Sequence, residues 1–218
     1  TADVTGATTI YYTPHVGSLI SLYDGTDWIM YIFSEISLAL GTLTSGLPYD
    51  VFIYDNAGTL TLESLAWTNG TTRATALARQ NGILCKTGQL TRRYLGTFYT
   101  TSTTATEDSF AKRFVWNYYN RVPRPLLRAE TNATWTYTTE TWRSANSSTT
   151  NRVEVVVGVS EAPVTMMVHG ISFNALNPFT ASGIGSDSTA ANSAQVFGGF
   201  NGTNGAECQG WPGIGYHY

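Results

Sequence analysis

Tight-turn signals divide this chain into short pieces and leave little room for long helices. Asp24-Gly25, Asn69-Gly70 and Asn81-Gly82 each follow or precede a short apolar run, Gly88 marks a further turn, and Asp55-Asn56-Ala57-Gly58 forms a longer one. Asn-Gly and Asp-Gly tolerate the positive φ that two-residue hairpin turns demand. Between the turns side chains alternate with period two. Residues 49–55 set Val51 and Ile53 against Phe52 and Tyr54, and with the turn after them and residues 58–67 they predict the strongest hairpin in the chain. Residues 8–12, 28–33, 34–40, 83–86, 134–142 and 151–159 read as further strands, with Val153, Val155, Val157 and Val159 on one face of the last. Residues 72–79 read as a strand with Ala74, Ala76 and Ala78 on one face, and residues 163–176 as a long extended run with a bulge at Gly170. Many short strands without intervening amphipathic helices predict an all-β chain, an antiparallel β-sandwich of jelly-roll-like design.

The densest aromatic block lies at residues 92–128 and carries six arginines. Residues 92–99 read as a short strand, 100–106 as a Thr/Ser loop, and 109–122 as a longer strand ended by Pro123 and Pro125. In that strand Phe110, Phe114, Trp116 and Tyr118 share one face, and Ala111, Val115 and Tyr119 the other. Apolar bulk on both faces predicts a central strand between two covering layers. Phe110, Phe114, Tyr118 and Arg121 also have near-helical spacing, so a helix is the rival; aromatic and β-branched content, and the lack of a capping pair, favour the strand.

A length of 218 residues fits one domain, expected as a sandwich over residues 1–176 with a Gly-, Ser- and Asn-rich, loop-dominated segment at 177–218, packed on it or on a neighbouring subunit. Only 12% of residues are charged, about half the usual share, so hydroxyls and amides must solvate the surface. The net charge of −3 argues against a general nucleic-acid binder. No secretory h-region is present, and the apolar run at residues 28–33 is far too short to span a bilayer. Ten of the twelve basic residues are arginines, expected to pair with acids or carbonyls within the sheets, with an anionic glycan as the other use of Arg92, Arg93, Arg113, Arg121, Arg124 and Arg128. Cys85 and Cys208 have no metal-ligand spacing; free thiols are expected, with a disulfide as the alternative.

No catalytic constellation stands out. Glu107, Asp108, Glu130, Glu140, Glu154 and Glu161 are the acids available for a glycosidase pair, but Glu107-Asp108 fits pairing with Arg113, and Glu154 fits pairing with Arg152 or solvent. His15, His169 and His217 are scattered, and no Gly-x-Ser-x-Gly elbow is present. Residues 24–27 lack the remaining acids of a calcium loop, and the Gly-rich 198–205 lacks the Lys-Ser/Thr of a phosphate loop. No metal site or cofactor is expected. The candidates for binding are aromatics beside polar loops: Trp135, Tyr137, Trp142, Trp211, Tyr216 and Tyr218. Sugar C–H faces stack on such rings. Core packing of Trp135 and Tyr137 on a Thr-rich strand, and anchoring of the tail by the terminal rings, are the plainer uses.

RRYLGTFYTT at 92–101 and EDSFAKRFVWNYYNRVPR at 107–124, with YDVFIYD at 49–55 and LTLESLAWTNGTTRATALARQNG at 60–82, resemble a recurrent β-rich domain of tailed-phage and prophage virion proteins. The likeness spans roughly residues 8–170. It implies a non-enzymatic C-terminal domain of a tail, spike or fibre protein, displayed on the virion exterior as a homo-oligomer, a trimer by preference. Its implied partners are other virion proteins and a host-surface glycan. A purely structural adaptor and a glycan-degrading spike domain are the alternatives.

Overall fold

The structure, a computed structural model, describes residues 2–173, 179–192, 196–200 and 202–218. It is all-β. The first thirteen strands are β1 (Val4–Ala7), β2 (Thr9–Tyr12), β3 (Leu19–Tyr23), β4 (Trp28–Ile32), β5 (Ile36–Ala39), β6 (Pro48–Asn56), β7 (Thr59–Ala66), β8 (Leu77–Gln80), β9 (Ile83–Lys86), β10 (Gln89–Tyr99), β11 (Thr106–Asp108), β12 (Lys112–Arg113) and β13 (Val115–Asn117). After them come β14 (Glu154–Val157), β15 (Val164–Ser172), β16 (Phe179–Gly183), β17 (Val196–Phe200), β18 (Gly202–Gly210) and β19 (Gly215–His217). The chain forms two compact units. The first holds residues 1–126, 155–159 and 214–216, and the second residues 127–154, 160–213 and 217–218.

The first unit is built on a sheet in the order β7-β6-β10-β9-β8, with β13 also paired to β10. Its hairpins are the expected ones, β6–β7, β8–β9 and, through Gly88, β9–β10. Ala57 and Gly58 have positive φ in the β6–β7 turn, as do Asn81 and Gly82 in the β8–β9 turn, the conformation that matches strand twist. β10 is the central strand: β6 runs along one edge, and β9 followed by β13 along the other. One face of the sheet buries Tyr49, Val51, Ile53, Leu62, Leu95 and Phe98 under Ile20 and Leu22 of the β3–β4 ribbon and the partly buried Ile10, Tyr12, Ile36 and Leu38 of the β2–β5 ribbon. The other face carries Phe52, Tyr94 and Leu84, covered by Leu65, Leu77, Trp116, Tyr118 and Val159. Burying each such large side chain contributes about 1.5–3 kcal/mol. A second sheet has the order β1-β11-β12-β14-β19.

The second unit pairs β15 with β18, from Val164↔Gly210 to Ser172↔Gly202, and β16 with β17. Residues 127–153 hold no strand, only the short 3-10 turn Ala145–Ser147.

Several expectations are corrected. Residues 109–122 are not one strand and not the central one. Ser109 and Lys112 exchange backbone hydrogen bonds in a tight turn that opposes Asp108 to Arg113, and the Asn117 side chain accepts from the amides of Tyr119 and Asn120 and ends β13. Residues 72–79 are strand only from Leu77; before it, Asn69 Oδ1 accepts from Thr71 N and Thr68 N donates to Thr72 O, so a turn occupies the space. Residues 134–142 form no strand and are exposed. Residues 151–159 are strand only at Glu154–Val157, where adjacent Val156 and Val157 are both buried. Gly170 is no bulge: it pairs with Asn204 in an unbroken ladder. After residue 177 strands are frequent, β16 to β19, so that segment is not loop-dominated; the expected boundary at 176/177 itself lies outside the described residues.

Candidate functional site

In the first unit a buried polar cluster forms around Asp50. The carboxylate sits near the start of β6, within its buried stretch, and is 1% exposed. Arg73 Nε donates to Asp50 Oδ2 at 2.7 Å and Arg73 Nη2 to Oδ1 at 3.2 Å, a bidentate pair. The Thr97 hydroxyl donates to Oδ1 at 2.7 Å, and the Thr97 and Tyr94 hydroxyls lie 2.6 Å apart. Arg73 Nη2 also reaches Tyr94 Oη at 3.4 Å and the carbonyl of Gly158. The guanidinium lies 4.5 Å from the ring centroid of Trp67 and 5.6 Å from that of Tyr94.

A bulge makes this cluster possible. Residues three apart on a regular strand face opposite ways. The β10–β6 register shifts between Tyr94 and Gly96, which turns Tyr94 and Thr97 to the face shared by Asp50 and Phe52. Gly96 is required there: a Cβ would lie 2.2 Å from the carbonyl oxygen of Trp116 on β13. Gly158 is equally confined, with Tyr94 Oη 2.3 Å from the position of a Cβ. Burial pushes the Asp50 carboxyl up from its ordinary range, against the pull of Arg73 and Thr97, and pushes the Tyr94 phenol far up as well.

Beside the cluster a surface concavity of about 320 Å³ is lined by Arg73, Ala76, Leu77, Arg79, Leu84, Val159 and Ile214. Its walls are aliphatic, and its charged groups are two guanidinium ions. No reading of the sequence singled out this site. Its one legible signal was Asp50, a carboxylate inside YDVFIYD, since an acid flanked by buried apolar positions requires a partner.

The aromatics singled out from sequence fall in both units, Tyr216 in the first and Trp135, Tyr137, Trp142, Trp211 and Tyr218 in the second. In the second unit Trp135 and Trp142 are each 42% exposed and Trp211 is 65% exposed. A Cβ on Gly183 would stand 3.1 Å from the Trp142 ring, so that indole rests against the glycine backbone. The Tyr137 hydroxyl donates to Ser144 O at 2.6 Å and accepts from Ser147 N at 2.9 Å, while Arg143 covers its ring at 4.5 Å. Tyr137 thus fastens the 144–147 turn. Arg152 lies 4.2 Å from the Tyr218 ring centroid, and Asp187 accepts from His217 Nδ1 and the Tyr218 amide. In the first unit Tyr216 stacks on Tyr99 at 4.6 Å.

Most of the central arginines have partners within the fold. Arg93 donates to Ser21 O and Tyr119 Oη, Arg113 to Pro125 O with Asp108 at 3.8 Å, and Arg121 to Tyr118 O. Arg92 lies 3.6 Å over the Tyr54 ring, Arg124 pairs with Asp108, and Arg128 is exposed. Glu154 pairs with Arg152 at 3.6 Å. Cys85 and Cys208 are free thiols, and residues 24–27 form a turn capped by Asp24. Among the described residues no three His, Cys, Asp or Glu side chains converge as a metal site, and no helix is long and apolar enough to cross a membrane.

No family model, curated protein or solved structure matches this chain. Bidentate pairing with Asp50 and stacking on Trp67 fix the Arg73 guanidinium beside the aliphatic wall of the concavity.

Proposed function

We propose that the chain is a non-enzymatic module of a virion exterior that attaches to a host surface through glycan. The observation that carries this is the exposure of three tryptophans, Trp135, Trp142 and Trp211, in the strand-free or loop portions of the second unit. Indole left in water is an apolar area that a ligand can cover, and the C–H face of a sugar ring fits it. The low-charge surface of hydroxyls and amides and the likeness to phage virion domains support the same use, with a trimer as the working assembly. Purified protein is expected to bind susceptible host cells, and the triple change Trp135→Ala, Trp142→Ala, Trp211→Ala to weaken binding at least tenfold with an unchanged melting temperature. Full binding by the triple variant would end the proposal.

A second use, as an adaptor between virion proteins, draws on a different surface. Leu19, Met30 and Ile32 share the outer face of the β3–β4 ribbon and are 58%, 65% and 81% exposed. Assembly into particles without cell binding would favour it.

A further inference from the structure

The Arg73 side chain is nine-tenths buried, with an exposure of 10%. An arginine carries five N–H donors. Asp50, Tyr94 and Gly158 engage Nε and Nη2, and Nη1 takes part in none of those bonds. Asp50 occupies the Nε–Nη2 edge from inside the fold, where its own exposure is 1%. The donor left over belongs to a residue that lines the 320 Å³ concavity, and Arg79 lines the same wall. The remaining lining, Leu77, Leu84, Val159 and Ile214 among it, is aliphatic.

We propose that this concavity is a binding site for a compact monocarboxylate with an aliphatic body, the carboxylate on Arg73 Nη1 and the hydrocarbon against Leu77, Leu84, Val159 and Ile214. Three features select that class. Charge-assisted bonds to guanidinium favour carboxylate over a neutral carbonyl, and the bidentate hold of Asp50 fixes the donor in place before the ligand arrives. Aliphatic walls favour a hydrocarbon body over a polyhydroxylated one. A volume of about 320 Å³ is at the lower end for small-molecule sites and suits a short branched-chain acid. The proposal does not rest on glycan attachment, which uses tryptophans of the second unit.

The test is a titration of methyl-labelled protein with isovalerate, followed by NMR, with isovaleramide and glucuronate as comparison ligands. Isovalerate is expected to shift the methyl signals of Leu77, Leu84, Val159 and Ile214 saturably at millimolar concentration. Isovaleramide, without charge, and glucuronate, without an aliphatic body, are each expected to bind at least tenfold more weakly. Ala76→Trp fills the concavity from an exposed position without altering Arg73 and is expected to abolish the shifts, while Trp211→Ala leaves them unchanged. No saturable shift with isovalerate, equal response to the amide, stronger response to glucuronate, or unaltered binding in a folded Ala76→Trp protein would each overturn the assignment. None of these results bears on host-cell binding, which is read separately.

Discussion

Arg73 and Asp50 hold each other inside the first unit, and each is costly to bury alone. Replacing Arg73 with Met leaves the carboxylate among Phe52, Tyr94 and Thr97 without its cation. We expect a loss of about 3–5 kcal/mol at neutral pH in urea unfolding. The sign of its pH dependence follows from burial, which already raises the Asp50 pKa above the ordinary 3.8. Without Arg73 the pKa rises further. The native state then binds a proton more tightly than the unfolded chain, so stability recovers as pH falls from the raised pKa towards the unfolded one. The defect should shrink on mild acidification. Replacing both residues, Asp50→Leu with Arg73→Met, should restore most of the loss, since no buried charge remains. A defect that grows on acidification would contradict this account.

At the scale of elements, β10 and its bulge organise the first unit. Gly96→Ala would force a methyl group to 2.2 Å from the Trp116 carbonyl, and a backbone atom cannot swing aside as a side chain can. We expect about 3 kcal/mol of destabilisation and loss of amide protection at Trp116 and Asn117, where β13 pairs with β10. The β3–β4 ribbon depends on its turn. Asp24 Oδ1 accepts from the amides of Thr26 and Asp27 at 2.7 and 2.8 Å, and those bonds hold its carboxyl below the ordinary 3.8. A depressed pKa contributes stability above the unfolded value that is lost as pH falls through the folded one. The Thr26 and Asp27 amide shifts should therefore titrate with a midpoint below 3.8, and Asp24→Asn should remove that titration.

At the scale of the whole molecule, chain order and structural order part company. The first unit takes residues 155–159 and 214–216 from far along the chain. Gly158 supplies a carbonyl to Arg73, Val156 is fully buried, and Tyr216 stacks on Tyr99 while its amide donates to Gly70 O at 2.9 Å. A fragment of residues 1–126 keeps the β6–β7–β10 core but loses all of these. It should retain strand content by far-ultraviolet dichroism yet show poorly dispersed NMR spectra and bind a hydrophobic dye. A fragment as well dispersed as the full chain would show that the late segments are dispensable.

What the amino-acid order settled by itself was local: the β class, the hairpins at residues 55–58 and 80–83, the turn at Asp24 and the arginines held by carbonyls and acids. Turn residues and period-two alternation act over a few positions, so they survive any tertiary context. Residues 109–122 and 134–142 have the same alternation, yet neither is a continuous strand, because alternation says that a segment can pair and not that a partner edge is free. Only the tertiary structure made β10 central, used its bulge to bring Tyr94 and Thr97 to Asp50, and closed a concavity from residues 73–84, 159 and 214. Those outcomes depend on contacts between residues far apart in the chain, whose free energy is set by which edges and faces meet and is written in no single segment.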